Sequence, residues 1–348
     1  MASTNTIGEG VAADLVEPAD GEDVTCTACA HRCTLSPGQR GICDVRENVD
    51  GELRLLTYGK VHDPTPGPPG TVDPIEKKPL YHFHPTTRVL SFGGASCNFA
   101  CQFCQNHHIA FAAPEDIPLR DVTPTEAATS ATTQGCAGVA WTYNEPTIYA
   151  EYVRDGASEA HEAGRYTAIV TNGYFTAEFV EEVGPYLDAA NVDIKGFRDG
   201  PHVEYMGARL EPTLRGAELL HETDTHLEVT YLVIPDLNDD PAEIRAFAEW
   251  VRDDLDRSVP VHFTRFHPDH QMQDRPATPV ETLETAAEIA REVGIEFVYV
   301  GNVPGHADND TRCPDCGQIW IRRNGFRASV EVDLDGACDC GRQIDVVS

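Results

Sequence analysis

Fourteen residues constrain this chain most: Gly93-Gly94-Ala95-Ser96-Cys97-Asn98-Phe99-Ala100-Cys101-Gln102-Phe103-Cys104-Gln105-Asn106. Three cysteines at C-x3-C-x2-C follow a short apolar run, Arg88-Val89-Leu90-Ser91-Phe92, that predicts a strand. One loop with this spacing is compact enough to wrap three corners of an iron–sulfur cube. A fully protein-ligated cluster takes four thiolates. Three leave one iron open, and an open metal position is where a catalytic centre takes its substrate or cofactor. Spacing alone leaves a structural zinc loop as the alternative, because thiolates serve several metals.

The length of 348 residues suits one large α/β domain with attachments, or two domains, and 41% hydrophobic residues suffice for a sizeable core. The balance is very acidic: 57 Asp+Glu against 26 Lys+Arg, a formal net charge of -31. The lysines are Lys60, Lys77, Lys78 and Lys195, so arginine carries most of the positive charge. A dispersed acidic excess of this kind resembles proteins of salt-accumulating halophiles. In molar salt the Debye length is about 3 Å, so self-repulsion is screened. The charge therefore predicts a solvated surface rather than an acidic docking face. Without a basic stripe, nucleic-acid binding through phosphates is disfavoured.

Met1 to Val24 has neither a basic start nor an apolar core. It is not a signal peptide, and residues 1–21 are expected to be disordered. No run approaches the length of a membrane span, and a cytoplasmic location is expected. Twelve cysteines without export favour metal binding over disulfides.

Four of them, Cys26, Cys29, Cys33 and Cys43, lie in one short segment with His31 among them. Such a segment buries little apolar surface, so a metal would supply folding energy; zinc and a second iron–sulfur cluster both fit four thiolates. A Pro/Gly linker, Pro64 to Gly70, follows. Pro74 and Pro79 argue against a long helix, so Asp73 to Leu80 and Tyr81-His82-Phe83-His84 are expected as an extended strap, with His82 and His84 as packing residues or ligands. Residues 22–85 form this N-terminal unit. At the other end, 308–348, Cys313-x2-Cys316 and Cys338-x-Cys340 resemble the two knuckles of a zinc ribbon, the second one residue short, with a hairpin turning at Asn324-Gly325 between them. Structural zinc is favoured there, since closed tetrahedral thiolate sites suit it.

Between them, residues 86–307 alternate short β-type and helical runs, which predicts βα units on a parallel sheet. Strands are expected at 88–93, 138–142, 166–171, 190–194, 227–233, 261–266 and 297–300. Thr123-Pro124-Thr125-Glu126 and Thr278-Pro279-Val280-Glu281 each predict a capped helix start with proline at its first position. Six or seven units fit a partial or complete barrel, whose functional residues gather at the C-terminal ends of the strands. There the sequence puts Asn144 and Glu145, the Asn172-Gly173 turn, the Asp193/Lys195 pair on one strand face, and His267. Asn-Gly permits a tight turn and exposes polar groups to a ligand. Burying Asp193 and Lys195 is costly unless they pair or bind something. Cys136 is isolated and expected in the core.

Several motifs together resemble the radical S-adenosylmethionine (SAM) enzymes of the AmmeMemoRadiSam system, relatives of the pyruvate formate-lyase activating enzymes. They are Cys26 to Cys33 with Gly41-Ile42-Cys43, Asp73 to Leu80, the Cys97/Cys101/Cys104 loop, Tyr143-Asn144-Glu145-Pro146-Thr147, Thr171-Asn172-Gly173-Tyr174, Asn191 to Gly196, Arg265-Phe266-His267-Pro268, and Gly301 to His306. The resemblance implies an α/β fold: a partial (β/α) barrel with an N-terminal Cys-rich module and a C-terminal zinc-ribbon-like module. It implies a [4Fe–4S] cluster on Cys97, Cys101 and Cys104 and SAM as cofactor. Asn144 and Glu145 match the turn that holds the SAM amino group, and Asn172, Asp193, Lys195 and His267 match positions lining SAM. The activating enzymes carry an acidic residue before Thr-Asn-Gly, where this chain has Val170. The implied activity is reductive cleavage of SAM to a 5′-deoxyadenosyl radical that abstracts hydrogen from an unidentified substrate. A glycyl-radical-enzyme activase and a non-catalytic zinc-binding scaffold are the alternatives. Memo-like and AMMECR-type proteins and a ferredoxin or flavodoxin are the implied partners, and the composition adds a haloarchaeal source.

Overall fold

Runs of apolar and β-branched residues build the centre of the molecule, as strands buried on both faces must. The computed structural model describes residues 8–63 and 66–348; Pro64 and Thr65 of the linker and residues 1–7 lie outside the described residues. An eight-stranded sheet forms from β1 (Thr71–Pro74), β2 (Arg88–Phe92), β3 (Gly138–Trp141), β4 (Tyr166–Thr171), β5 (Ala189–Ile194), β6 (His226–Val233), β7 (Val261–Arg265) and β8 (Val298–Gly301). Its order is sequential, with β1 and β8 at the two edges, so it is an open barrel. Strands β2 to β8 are parallel, and β1 is antiparallel to β2.

Among the described residues, the helices of seven residues or more that cross between the parallel strands are α1 (Pro124–Thr133), α2 (Ala150–Glu162), α3 (Ala177–Val183), α4 (Asp199–Met206), α5 (Leu210–His221), α6 (Pro241–Trp250) and α7 (Val280–Val293). The Thr123 box caps α1 reciprocally with Glu126, as its spacing predicts. The second expected cap does not form. Pro279 occupies the cap position of α7 with no side-chain bond. Buried Thr278 instead donates to the Val233 carbonyl at 2.6 Å and accepts from Phe266 N at 3.0 Å, because the hydroxyl is enclosed between two strands and must be satisfied there. Trp141, Tyr231, Phe247 and Phe263 are fully buried in the barrel core; the two phenylalanines contribute about 1.5–3 kcal/mol each by leaving water.

The strap is extended only as far as Pro74, where β1 ends; a single 3-10 turn, Ile75–Lys77, follows. Its remainder closes the N-terminal end of the barrel. His82 N donates to Glu228 Oε1 at 2.7 Å, and Asn191 Nδ2 donates to the Pro79 carbonyl at 2.8 Å. His82 is buried against Tyr299 and the Asp345 carbonyl, and His84 stacks on Tyr166, so both are packing residues.

The N-terminus departs from the expected disorder over its described part. Val11–Ala12 pairs with Glu52–Leu55, and Val16–Pro18 pairs with Val24–Cys26. The reason is burial: Ala13 and Leu15 join the same apolar core as Leu53, Leu55 and the barrel's Ile148. That shared core also corrects the expectation that the segment buries little apolar surface. Arg46 and Glu151, 1% and 2% exposed, cross the junction as a two-pronged ion pair at 3.0 and 2.6 Å. At the C-terminus, Thr311–Arg312, Ile319–Asn324 and Arg327–Val330 make a three-stranded sheet. Its hairpin turns at Gly325-Phe326, one residue later than expected, because Asn324 still pairs with Arg327.

Candidate active site

The C-terminal ends of β2 to β7 lie side by side, and the loops that leave them meet over one mouth of the barrel. The cysteine loop leaves β2. Its entry is fixed by β3: in register, Phe92 pairs with Trp141, and a Cβ on Gly93 would lie 2.9 Å from the Thr142 carbonyl, so only glycine fits that approach. Asn144 then clamps the loop. Its Oδ1 accepts from Gly94 N at 2.9 Å and its Nδ2 donates to the Ser96 carbonyl at 2.8 Å. Ala100 N and Gln102 N donate to the carbonyls of Met206 and Tyr205 at the end of α4. Asn106 Nδ2 closes the loop on the Tyr143 carbonyl at 2.7 Å. Ser96 (φ 66°) and Tyr143 (φ 74°) are both left-handed, a conformation that costs a non-glycine residue free energy and concentrates at functional sites.

Glu145 is 1% exposed and wholly occupied by protein donors. Thr147 N, Thr147 Oγ1 and Thr171 Oγ1 donate to Oε1 at 3.0, 2.6 and 2.8 Å, and Asn172 N donates to Oε2 at 2.7 Å. Burial pushes its carboxyl up, against the pull of these donors. The carboxylate therefore binds β4's terminal turn to β3's. Asn172 is buried rather than exposed: its Nδ2 donates to Asn98 Oδ1 at 2.8 Å and its Oδ1 accepts from Tyr174 N at 3.0 Å. The side chains of Asn144 and Asn172 thus brace the cysteine loop and Glu145 holds Asn172 in place, with the polar atoms of all three engaged by protein.

Asp193 and Lys195 project from the end of β5 and pair at 2.9 Å, with side chains 31% and 15% exposed. Burial opposes the Lys195 charge, but Asp193 and then the nearby Cys101 raise it above its ordinary range. His267 lies exposed beyond β7, where its Nδ1 bonds the neighbouring Pro268 carbonyl at 3.0 Å. The structure thus brings Asn144, Glu145, Asn172, Asp193 and Lys195 around the loop, with His267 outermost.

The three thiols fit an iron–sulfur cluster. Cys101 is buried with Phe99, Phe103 and Tyr174, and half-buried Cys97 and Cys104 pack against the same group. Burial pushes Cys101 up to about 12 and raises Cys97 and Cys104, so a metal must displace their protons. Lys195 supplies positive charge beside Cys101 and Cys104. Phe99 N donates to Cys97 Sγ at 3.4 Å, and buried Asn98 Nδ2 has no hydrogen-bond partner among the described residues, which leaves a donor beside the cysteine for a bound group.

Sequence reasoning missed one support. Asp73, at the end of β1, accepts from Lys77 at 2.8 Å, Lys78 at 2.7 Å and the Tyr143 hydroxyl at 2.6 Å. Lys78 Nζ stands 4.6 Å from the centre of the Tyr143 ring. The Asp-Pro-Ile-Glu-Lys-Lys motif thereby holds Tyr143, next to Asn144; the two adjacent lysines in a lysine-poor chain were its signal. At the C-terminus, Cys313, Cys316, Cys338 and Cys340 converge with all four sulfurs within 4.8 Å.

A family model for the radical SAM superfamily matches residues 93–250. An uncharacterized protein of Methanocaldococcus jannaschii is 41% identical over 334 residues, 95% of this chain and 98% of that protein. The benzylsuccinate synthase activating enzyme of Thauera aromatica is 25% identical over 185 residues, 49% of this chain and 56% of its own length. The pyruvate formate-lyase 1-activating enzyme of Escherichia coli is 27% identical over 118 residues, 33% of this chain and 48% of its own. The chain belongs to the radical SAM superfamily, whose members work with a [4Fe–4S] cluster and SAM.

Proposed function

We propose that this chain is an enzyme that cleaves SAM reductively, with Cys97, Cys101 and Cys104 as the cluster ligands. The cluster would supply the electron for cleavage, which yields a 5′-deoxyadenosyl radical able to abstract hydrogen from a substrate. The observation that carries the reading is the three-cysteine loop at the barrel mouth, clamped by Asn144 and tied through Asn98 to Asn172. Three thiolates from one braced loop leave one iron open for SAM. Asp193 and Lys195, partly exposed beside Cys101, orient what enters the mouth. Asn144, Glu145 and Asn172 act as positioning residues, holding the loop in one geometry. The C-terminal quartet suits structural zinc: its sulfur pairs Cys313/Cys340 and Cys316/Cys338 stand 3.6 and 3.5 Å apart, close to the separation set by a zinc about 2.3 Å from each.

A glycyl-radical-enzyme activase, with the same chemistry on a protein substrate, is the second reading; the similarity to two activating enzymes favours it. Memo-like and AMMECR-type partners and a halophilic setting rest on motif resemblance and composition. The test is an anaerobic assay of the reconstituted, reduced protein with SAM in high salt, following 5′-deoxyadenosine. Wild type is expected to form it, and the Cys97→Ala/Cys101→Ala/Cys104→Ala variant none. Zinc alone, with no iron or acid-labile sulfide after anaerobic purification, would establish the scaffold instead.

A further inference from the structure

The N-terminal module encloses a second cysteine-lined space. Cys26, Cys29, Cys33 and Cys43, with Arg46 and Ile148, line one small, largely enclosed cavity. Cys26, Cys29 and Cys43 are buried and Cys33 half-buried. Two of the sulfurs meet at Gly41, where a Cβ would lie 3.7 Å from Cys33 Sγ and 3.8 Å from Cys43 Sγ. Arg46 closes the wall and is itself fully engaged by Glu151 and the Ile148 carbonyl.

The two quartets differ in geometry. Among the described residues, the C-terminal sulfurs are the group whose ligand atoms all lie within 4.8 Å of one another, as a single tetrahedral ion requires. The N-terminal sulfurs do not form such a group; they stand around a space. A four-iron cube holds its thiolates at four separate corners, with its own volume between them.

The module also touches the active-site loop directly. Cys29 belongs to the buried apolar group of Phe99, Cys101 and Tyr174, against which Cys97 and Cys104 pack. Cys29 bridges to Phe175, and Ala30 N donates to the Tyr174 carbonyl at 3.0 Å. His31 Nε2 bonds the Asn98 carbonyl at 2.8 Å. From Cys29 the path to Cys97 is therefore two peptide units, one hydrogen bond and one further residue.

We propose that Cys26, Cys29, Cys33 and Cys43 hold a second [4Fe–4S] cluster that relays electrons to the Cys97/Cys101/Cys104 centre. Four thiolates leave no iron open, so this cluster transfers electrons rather than binding substrate. A low-potential one-electron carrier protein of the ferredoxin or flavodoxin class reduces it by one electron. That electron passes to the active-site cluster, which becomes one-electron reduced as the N-terminal cluster returns to its oxidised state. No bond or proton moves. The relay rests on the function proposed above; the occupancy of the N-terminal cavity does not.

The test counts iron, acid-labile sulfide and zinc on the full chain after anaerobic reconstitution. About eight irons, eight sulfides and one zinc per wild-type chain are expected from two cubes and one zinc site. About four irons with two zincs would overturn the second cluster, whatever the variants do. The Cys29→Ala/Cys43→Ala variant is expected to keep about four irons, and retention of eight overturns the assignment. The relay is read by paramagnetic resonance. In that variant, reduction of the remaining cluster by flavodoxin is expected to slow at least about tenfold while dithionite still reduces it; equal rates with flavodoxin overturn the relay. If the variant does not fold, the Cys97→Ala/Cys101→Ala/Cys104→Ala chain decides, because it keeps the N-terminal cluster alone. Flavodoxin is expected to reduce that cluster, and its failure to do so where dithionite succeeds overturns the relay. Two clusters without 5′-deoxyadenosine would sink the proposed activity and leave the second site standing.

Discussion

Asn172 Nδ2 donates to Asn98 Oδ1 at 2.8 Å, so the turn after the fourth barrel strand is bonded to the residue that follows the first cysteine of the loop. Both residues are buried. Asn172→Ala removes the donor and leaves the Asn98 oxygen without it, at about 1–3 kcal/mol. The expected outcome is a lower urea midpoint together with faster iron loss on exposure to air. Asn172→Asp should not rescue it, because a carboxylate offers no proton to that oxygen. A wild-type rate of iron loss in Asn172→Ala would show that the bond does not position the loop.

Glu145 accepts four hydrogen bonds and donates none. Glu145→Gln has nearly the same shape but must turn an amide NH2 toward at least one N–H or O–H. We expect a loss of about 1–3 kcal/mol by chemical unfolding, with the iron content of the folded fraction also reduced. An isosteric variant as stable as wild type would mean that the carboxylate is not what joins the two turns.

Asp73 gives a pH dependence of defined sign. Burial works against its charge, yet Lys78, Lys77 and Tyr143 hold the carboxyl down at about 2, below its ordinary 3.8. The unfolded chain therefore takes up the proton first as pH falls. The stabilisation, on the order of 2 kcal/mol, is fully present above about pH 4 and is lost as pH falls toward 2. Asp73→Asn should flatten that part of the acid-unfolding curve, followed by circular dichroism. An unchanged curve would remove Asp73 as the latch on Tyr143.

Glu151→Ala strands the Arg46 charge in the apolar junction. Breaking a buried pair in this way costs about 3–5 kcal/mol, so the variant should unfold at much lower denaturant. Arg46→Met/Glu151→Leu should recover most of the loss, since neither charge is left alone. Urea melts of the two variants compare them directly; a double variant no better than Glu151→Ala would contradict the argument.

Much of the barrel was legible because its strands are apolar runs closed by turn residues. All seven parallel strands start and stop within one residue of expectation, from Arg88–Phe92 to Val298–Gly301. The positions of Asn144, Asn172 and Asp193 at strand ends were legible for the same reason. Their partners were not, because those depend on folding. Glu145 faces Thr171 across 26 residues of sequence, and no local pattern says that its carboxylate turns inward. Thr278 has every local mark of a helix cap, but an acceptor 45 residues away takes its proton. The strand ending in Pro74 was hidden because it is an edge, where proline is tolerated.

The ion pair between Arg46 and Glu151 has a consequence for how the molecule is made. Its members are 105 residues apart in the chain. At about 5–20 residues per second, a ribosome delivers the second roughly 5–20 s after the first. Until then Arg46 has no carboxylate and the four nearby cysteines lack the Ile148 wall of their cavity. The N-terminal module is thus made before the barrel segment that completes it, and its cysteine-lined pocket closes only once the middle of the barrel is in place.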